Sequence, residues 1–203
     1  MQVLATFSYM SSGVVDISLA EVFTHGDARR VGMSDRSLAA LQESGEVERI
    51  ARGIYVRAGF VADFDLVEIA VRSPNAALCL TSALAHHDLI DDISPVIDVA
   101  LPRTQRQPQT QAPVRWHRFD PDTFNVGREV LEITDGLRIG VYSATRSIVD
   151  AYRLRHLYGT EQALDALKRW LQLPGSQPSN LLSLAAHFPQ AAGVIRNTLQ
   201  ILI

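Results

Sequence analysis

Two short helical segments joined by a glycine-containing turn are predicted between residues 24 and 45. The first covers residues 25–31 behind the N-capping residue Thr24, and the second covers residues 35–44 behind Ser34. A glycine follows each segment, at the position where a helix end favours positive φ. Leucines three residues apart give the second segment one inward-facing side. This order is typical of a helix-turn-helix, with glycines Gly32 and Gly45 and leucines Leu38 and Leu41.

Two short β-type runs follow the second helix, at residues 47–50 and 54–56. Ala51-Arg52-Gly53 separates them, and a three-residue loop that ends in glycine predicts a β-hairpin. A hairpin directly after the second helix is the wing of a winged helix-turn-helix. We therefore expect a winged helix-turn-helix DNA-binding domain over residues 1–59, which ends at a hinge around Ala58-Gly59-Phe60.

Residues 60–203 have the pattern of a larger mixed domain, so the predicted fold class is α/β, in the α+β sense. Apolar runs predict strands at residues 76–80, 96–101, 114–119, 130–134 and 137–142, with Asp135-Gly136 as a hairpin turn between the last two. Helical spacing predicts helices at residues 63–72, at 81–87 capped by Thr81, at 143–156 capped by Ser143, after the cap Thr160, and from Ser179 onward.

The C-terminal residues are unusually apolar for a chain end. We expect them to pack back into the core of the larger domain, which would remove their side chains from water. The alternative is a surface for self-association, as in a homodimer. The residues concerned are Leu199, Ile201, Leu202 and Ile203.

Neither part of the chain is basic overall, and this matters for any interaction with nucleic acid. The net charge is −3, and residues 1–60 hold six arginines against seven acidic residues. Non-specific affinity for DNA comes mostly from attraction to the phosphates. Because the totals do not supply that attraction, DNA binding would depend on where individual arginines lie.

Several other classes of protein lack their sequence signals here. No apolar run approaches the length of a membrane span, and the N-terminus does not have the pattern of a signal peptide. Cys79 is the single cysteine, and no Cys/His spacing matches a zinc site. His86-His87 precedes several acids, but adjacent histidines on a helix point in different directions. We therefore expect a cytoplasmic protein that is not an enzyme, contacts no membrane, and needs no cofactor or metal.

The helix-turn-helix interpretation selects the outward side of the second helix as a DNA-contacting surface. Arg36, Ser37 and Ala40 lie on the side opposite the leucines. That side would enter the major groove, where an arginine can bond to guanine through two hydrogen bonds. A packing unit without a ligand is the alternative interpretation. Further contacts are expected from the first helix, the cap and the wing, namely Arg29, Arg30, Ser34, Arg49 and Arg52.

A second basic segment lies between residues 99 and 119, where four arginines occur without an acidic residue. One interpretation is a solvated hairpin loop. The other is a second basic patch that contacts DNA phosphate or the acidic surface of a partner. Trp116 would stack on a base or anchor the strand. The four arginines are Arg103, Arg106, Arg115 and Arg118.

Several segments resemble the AbiEi-type antitoxins of type IV toxin–antitoxin systems. In the N-terminal part they are Val22-Phe23-Thr24, residues 32–36 and residues 45–55; in the larger part they are residues 80–87, 99–102 and 142–150. The resemblance implies a transcriptional regulator that binds an operator in double-stranded DNA, represses its own operon and counteracts a nucleotidyltransferase-like toxin. The chain departs from the family at the second helix, where Asp35 and Glu43 replace the usual arginine-rich surface. A protein–protein module that neutralises its toxin without touching DNA is therefore the alternative.

Overall fold

The computed structural model of the protein describes residues 19–92 and 94–203. The chain divides into two compact units, of which the first ends at Val61 and the second covers Ala62–Ile203. Both units contain helices and strands, so the fold is mixed α/β, as the sequence predicted. Within the described residues, no helix combines the length and the apolar character needed to cross a membrane.

The described part of the first unit has its elements in the order strand, helix, helix, hairpin. Strand β3 lies between β1 and β2 and is antiparallel to both. Two helices followed directly by a hairpin are what the caps and the apolar runs predicted. The elements are β1 (Val22–Thr24), α1 (His25–Arg30), α2 (Asp35–Glu43), β2 (Val47–Ala51) and β3 (Ile54–Arg57).

Both helices of the first unit begin directly after the residues that were predicted to cap them. The Asp27 N–H donates to Thr24 Oγ1 at 3.2 Å, and the Thr24 N–H donates to Asp27 Oδ2 at 2.7 Å, which completes a capping box. At α2, the Ser37 N–H donates to Ser34 Oγ at 3.1 Å. These bonds satisfy N–H groups that a helix start otherwise leaves unpaired, and so they fix both boundaries.

The inward side of α2 packs against the sheet of the first unit. Leu38 and Leu41 are buried, which confirms the predicted inward side. They belong to one apolar cluster with Phe23, Val47 and Tyr55, and the rings of Phe23 and Tyr55 stack with their centroids 5.7 Å apart. Because this packing fixes the rotation of α2, the opposite side of the helix is exposed to solvent.

Several details of the first unit differ from the prediction, including the end of α2, which lies at Glu43 rather than at residue 44. Strand β1 was not predicted, because three residues are too short a run to show a periodicity and its pairing partner is more than thirty residues away. The hairpin turn contains only Arg52-Gly53, since Ala51 pairs with Ile54 after a bulge that follows Arg49. Helix α1 ends at Arg30, one residue earlier than predicted.

The second unit is built on a five-stranded mixed sheet with the strand order β6-β5-β4-β8-β7. The pairs β5–β6 and β4–β8 are parallel, whereas β4–β5 and β7–β8 are antiparallel. The two edge strands are therefore β6 and β7. The strands are β4 (Ala77–Leu78), β5 (Ile97–Pro102), β6 (Val114–Phe119), β7 (Arg128–Thr134) and β8 (Leu137–Tyr142).

Helix α6 lies at the centre of the helices of the second unit and contacts α4, α8, α9 and α10. Its residues Ile148, Val149 and Tyr152 are buried in the apolar cluster that these helices share. The helices are α3 (Phe64–Arg72), α4 (Leu80–His86), α5 (Pro121–Phe124), α6 (Ala144–Arg153), α7 (Arg155–Tyr158), α8 (Thr160–Gln172), α9 (Pro178–Ala185) and α10 (Pro189–Leu202).

Two of the predicted caps in the second unit are wrong. Thr81 lies inside α4, which begins at Leu80 behind Cys79, and no side chain caps that helix. Thr160 is the first residue of α8, behind Gly159 at φ 92°. Ser143 does cap α6, but the helix predicted to continue to residue 156 stops at Arg153.

The predicted packing of the C-terminal residues holds only in part. Leu199 is buried against the other helices, as expected. Ile201 and Ile203 are 84% and 78% exposed, so the prediction that they return to the core is wrong. They lie in the last turn of α10 and directly after it, where only Leu199 turns toward the apolar cluster.

Candidate nucleic-acid interface

The start of α2 brings two of the predicted contact residues together in a cap. Besides accepting the Ser37 N–H, Ser34 Oγ lies 2.8 Å from Ser37 Oγ, and both residues are exposed. Each hydroxyl is therefore already used locally. A hydroxyl has one donor and two acceptor positions, so this arrangement leaves hydrogen-bonding capacity toward solvent.

The acidic residue at the start of α2 is paired with basic residues of α1. Asp35 Oδ1 lies 2.9 Å from His25 Nε2 and 3.7 Å from Arg29 Nη1. Exposed pairs of this kind contribute little to stability, at about 0–1 kcal/mol. Their effect here is on charge, because the carboxylate has the guanidinium of Arg29 beside it and the ring of His25 within hydrogen-bond distance.

Arg36 has a different environment from these paired residues. Its side chain is exposed, and it makes no ion pair or hydrogen bond with any residue among those that the structure describes. Ala40, one turn later, is also exposed, while Leu38 and Leu41 are buried on the opposite side. The outward side of α2 thus presents a guanidinium beside a small side chain.

The two arginines at the end of α1 both form ion pairs. Arg29 contacts Asp35, and Arg30 contacts Asp27. Burial opposes ionisation of Asp27, but hydrogen bonds from Thr24 and the guanidinium of Arg30 outweigh it and lower the pKa of the carboxyl. Both arginines remain largely exposed, so the side chains reach solvent as well as their partners.

The hairpin carries the other two predicted contacts of the first unit. Arg49 is exposed on β2, and its Nε donates to the carbonyl oxygen of Ala51 at 3.2 Å across the bulge. Arg52 is exposed in the turn, next to Gly53 at φ 75°. That backbone conformation favours glycine, and it allows the chain to reverse within two residues.

The four arginines of the second basic segment do not share one surface. Successive side chains of a strand point to opposite faces, so Arg115 and Arg118 of β6 lie on different sides of the sheet. Arg115 Nη1 lies 3.4 Å from Oδ1 of the buried Asp98. Arg118 donates to the carbonyl oxygen of Arg103 and, at 3.3 Å, to that of Gln105.

The remaining members of that segment are placed separately. Arg103 Nη2 lies 3.3 Å from Asp120 Oδ2, and Arg106 is exposed in the loop. Trp116 packs partly buried against the core of the sheet, so it anchors the strand in this structure. Arg118 therefore holds the loop after β5 through its hydrogen bonds to two carbonyl oxygens, while Arg115 lies on the other face of the sheet.

Of the two histidines considered for metal binding, His87 has another hydrogen-bond partner. His87 Nε2 lies 2.8 Å from the carbonyl oxygen of Tyr142, and Arg169 Nη1 donates to Asp91 at 2.7 Å. Burial and the neighbouring His87 lower the pKa of His86. Among residues 19–92 and 94–203, no three His, Cys, Asp or Glu side chains are grouped as metal ligands would be.

A buried ionic cluster in the second unit was not predicted. Arg146 Nε donates to Asp150 at 3.0 Å and Nη1 donates to the carbonyl oxygen of Thr123 at 2.8 Å; both charged side chains are fully buried. Arg153 also contacts Asp150, at 3.0 Å. Burial raises the pKa of Asp150, and the two guanidiniums oppose that rise. Packing thus accounts for Arg146 and Asp150 in this segment. The only sequence signal was an arginine four residues before an acid on an otherwise buried helix.

The chain is similar to the crystal structure of the RV2827C protein from Mycobacterium tuberculosis, with a TM-score of 0.59 and 17% identity over 88% of this chain and 72% of that chain. At this identity the similarity shows the fold alone. No curated protein has a significant match. Residues 17–58 match the family described as transcriptional regulator, AbiEi antitoxin, which confirms the resemblance for the segment that contains both helices and the hairpin.

Proposed function

We propose that the first unit is a winged helix-turn-helix that binds double-stranded DNA, and that the protein is an antitoxin which represses its own operon. The family match over residues 17–58 supports a regulator of this general kind. The observation that carries the DNA-binding proposal is Arg36, an exposed guanidinium on the outward side of α2 with no partner among the described residues.

The elements of the first unit suit the usual docking of such a domain. The first turn of α2 would enter the major groove, where Arg36 forks onto a guanine and Ser37 and Ala40 lie against the neighbouring bases. Helix α1 would lie over the sugar–phosphate backbone. In this arrangement Arg29, Arg30 and Ser34 contact phosphate, and the hairpin places Arg49 and Arg52 on the backbone or in the minor groove.

The pairing of Asp35 makes this docking electrostatically easier than the sequence indicates. Its carboxylate faces His25 and Arg29, so a phosphate that approaches α2 meets a compensated acid rather than an isolated one. Glu43 lies two turns further along the helix and is exposed. We therefore expect the N-terminal end of α2 to face the DNA more closely than its C-terminal end.

The test is fluorescence anisotropy with a labelled duplex taken from the region upstream of the gene. Arg36→Ala should weaken specific binding by about 1–3 kcal/mol, because it removes a base contact. Arg52→Ala should weaken binding to specific and scrambled duplexes alike, and should reduce the salt dependence by about one unit of slope. Arg138→Ala, an exposed arginine on β8, is the matched control. Unchanged affinity in both test variants would refute the proposal.

The antitoxin part of the proposal concerns a protein partner. The second unit would counteract a nucleotidyltransferase-like toxin in the cytoplasm, with no catalytic activity of its own. Co-purification with the product of the adjacent gene tests this, and a neighbour that does not bind would contradict it. If the partner binds while no duplex does, the protein is instead a module that neutralises its toxin without DNA. The exposed Ile201 and Ile203 are candidates for a homodimer contact, which light scattering would detect.

A further inference from the structure

A cavity in the second unit combines basic side chains with the start of a long helix. It measures about 390 Å³ and is lined by Arg103, Asp120, Arg153, His187, Phe188 and Gln190, among others. Sites for small ligands in proteins typically occupy about 300–1,000 Å³. The cavity is therefore large enough for a small molecule that carries one or two charged groups.

The charges around the cavity favour an anion. Two arginines, Arg103 and Arg153, line it together with the ring of His187, against a single carboxylate, Asp120. The acidic partner of Arg153 is Asp150, which also neutralises the fully buried Arg146, so one carboxylate serves two guanidiniums. Since charge is poorly screened where side chains are buried, the positive charge of Arg153 is only partly compensated at the cavity wall.

Two further features of the cavity wall also favour an anion. Arg153 Nε is buried and has no hydrogen-bond partner within the described part of the chain, so no acceptor compensates the guanidinium at that atom, and the side chain meets the cavity through its exposed fraction of 17%. Helix α10 begins at Pro189, beside the cavity, and no side chain caps it. A helix of fourteen residues directs the positive end of its dipole toward its start, which adds to the field of the arginines.

We propose that this cavity binds the phosphate group of a small ligand. Arg153 is held in place by Asp150 and by the ring of Phe119, whose centroid lies 4.5 Å from the guanidinium carbon. Arg103 is 62% exposed and is free to turn from Asp120 toward a phosphate, which it can bind through two parallel hydrogen bonds. Asp120 is the competing anion. This site is independent of the proposed DNA-binding surface.

The experiment is isothermal titration calorimetry with the full-length chain at constant ionic strength. Inorganic phosphate and adenosine monophosphate are titrated separately, so that a site for free phosphate is distinguished from one for a nucleotide. Arg103→Ala should weaken binding roughly tenfold, because a hydrogen bond to a charged group is lost. Asp120→Asn should strengthen binding, because the competing charge is removed. Asparagine caps helices as well as aspartate does, so α5 keeps its cap.

Opposite changes in these two variants would support the site, whichever of the two ligands binds. Arg138→Ala is the control, since that arginine lies outside the cavity and is equally exposed. Absence of binding by either ligand would overturn the proposal. So would an equal loss in the Arg103 and Arg138 variants, because that result indicates a general effect of surface charge.

Discussion

Helices α2 and α6 both begin behind a serine cap and carry an arginine in their first turn, but their environments are opposite. Arg36 on α2 is exposed, without a partner in the part of the chain that the structure describes. Arg146 on α6 is fully buried, bonded to Asp150 and to two carbonyl oxygens, with its guanidinium 4.2 Å from the ring centre of Tyr142. The same local pattern therefore serves packing in one unit and leaves a cation available in the other.

This difference shows that a similar local sequence does not determine whether an arginine side chain contacts protein or solvent. Arg36 lies in the segment that matches the antitoxin family, and Arg146 lies outside it. Only the packing of each helix decides whether the guanidinium meets protein or solvent, because a buried charge must be paired and an exposed one need not be. Replacing each arginine in turn measures how far the two roles differ.

The largest expected effect is the loss of stability in Arg146→Ala. Removing one partner of a buried ion pair costs about 3–5 kcal/mol, because the remaining carboxylate is left buried with fewer partners. Both tryptophans, Trp116 and Trp170, belong to the second unit, so their fluorescence during urea unfolding reports on that unit. Arg36 lies in the first unit, which contains no tryptophan, so the unfolding of Arg36→Ala is followed by circular dichroism and should stay within about 0.5 kcal/mol of wild type.

A stable Arg146→Ala variant would contradict the view that the two arginines have different roles. If its free energy of unfolding fell by no more than that of the Arg36 variant, the buried cluster would not hold α6 in place. The variant Arg146→Met tests the cause further. It fills most of the volume without the charge, so a similar loss would identify the ionic contacts, rather than the packing, as the stabilising feature.

The second prediction compares two glycines with positive φ, one in each unit. Gly127 has φ 67°, and a Cβ built there would lie 2.7 Å from Arg146 Cβ; Gly53 has φ 75° and open space around it. Gly53→Ala should cost about 1–2 kcal/mol through backbone strain alone. Gly127→Ala adds a clash in a packed region and should cost about 2–4 kcal/mol in total. Thermal unfolding followed by circular dichroism measures both.

Equal losses in the two variants would show that the surroundings of Gly127 relax easily. That outcome would weaken the view that the cluster around Arg146 is rigidly packed. A larger loss of stability at Gly127 would support rigid packing, since the backbone strain is common to both glycines and only the crowding differs.

Much of the fold followed from local signals, because caps and apolar runs act over a few residues. Thr24 and Ser34 fixed α1 and α2, and Val114–Phe119 and Leu137–Tyr142 were predicted with the bounds that the structure has. Strand β1 depends on pairing with β3, which local periodicity does not show. Thr81 misled for a related reason: packing buries Leu80 as the first residue of α4 and so moves the helix start ahead of the threonine.

The candidate contact residues were predictable to a similar extent. The exposure of Arg36 and Ala40 followed from helical periodicity. Strand alternation also places Arg115 and Arg118 on opposite faces of the sheet, so their separation was open to prediction. The pairing of Asp35 with His25 and Arg29 was not readable, because it requires the angle between two helices. The same holds for Arg115 with Asp98, which depends on the parallel register of β5 and β6.

The smallest expected effect is a dependence of stability on pH in the exposed ion pairs of α1. The pKa of Asp27 in the folded protein lies below the ordinary value of 3.8. Its stabilising contribution is therefore complete above about pH 4 and is lost as the pH falls through the lowered pKa. Because the side chain is 31% exposed, we expect the contribution to stay below about 1 kcal/mol.

Asp27→Asn isolates this contribution, since the amide oxygen can still accept the Thr24 N–H while the charge that Arg30 contacts is removed. Wild type should exceed the variant in stability at pH 7, and the two should converge as the pH falls below 4. Glu43→Gln, on the exposed end of α2, is the control for a general effect of charge. A difference that did not shrink at all as the pH fell below 4 would mean that the side chain acts through the geometry of the capping box. In that case the contribution of the exposed Asp27–Arg30 pair to stability would not depend on charge, whereas that of the buried Arg146–Asp150 pair is expected to depend on it.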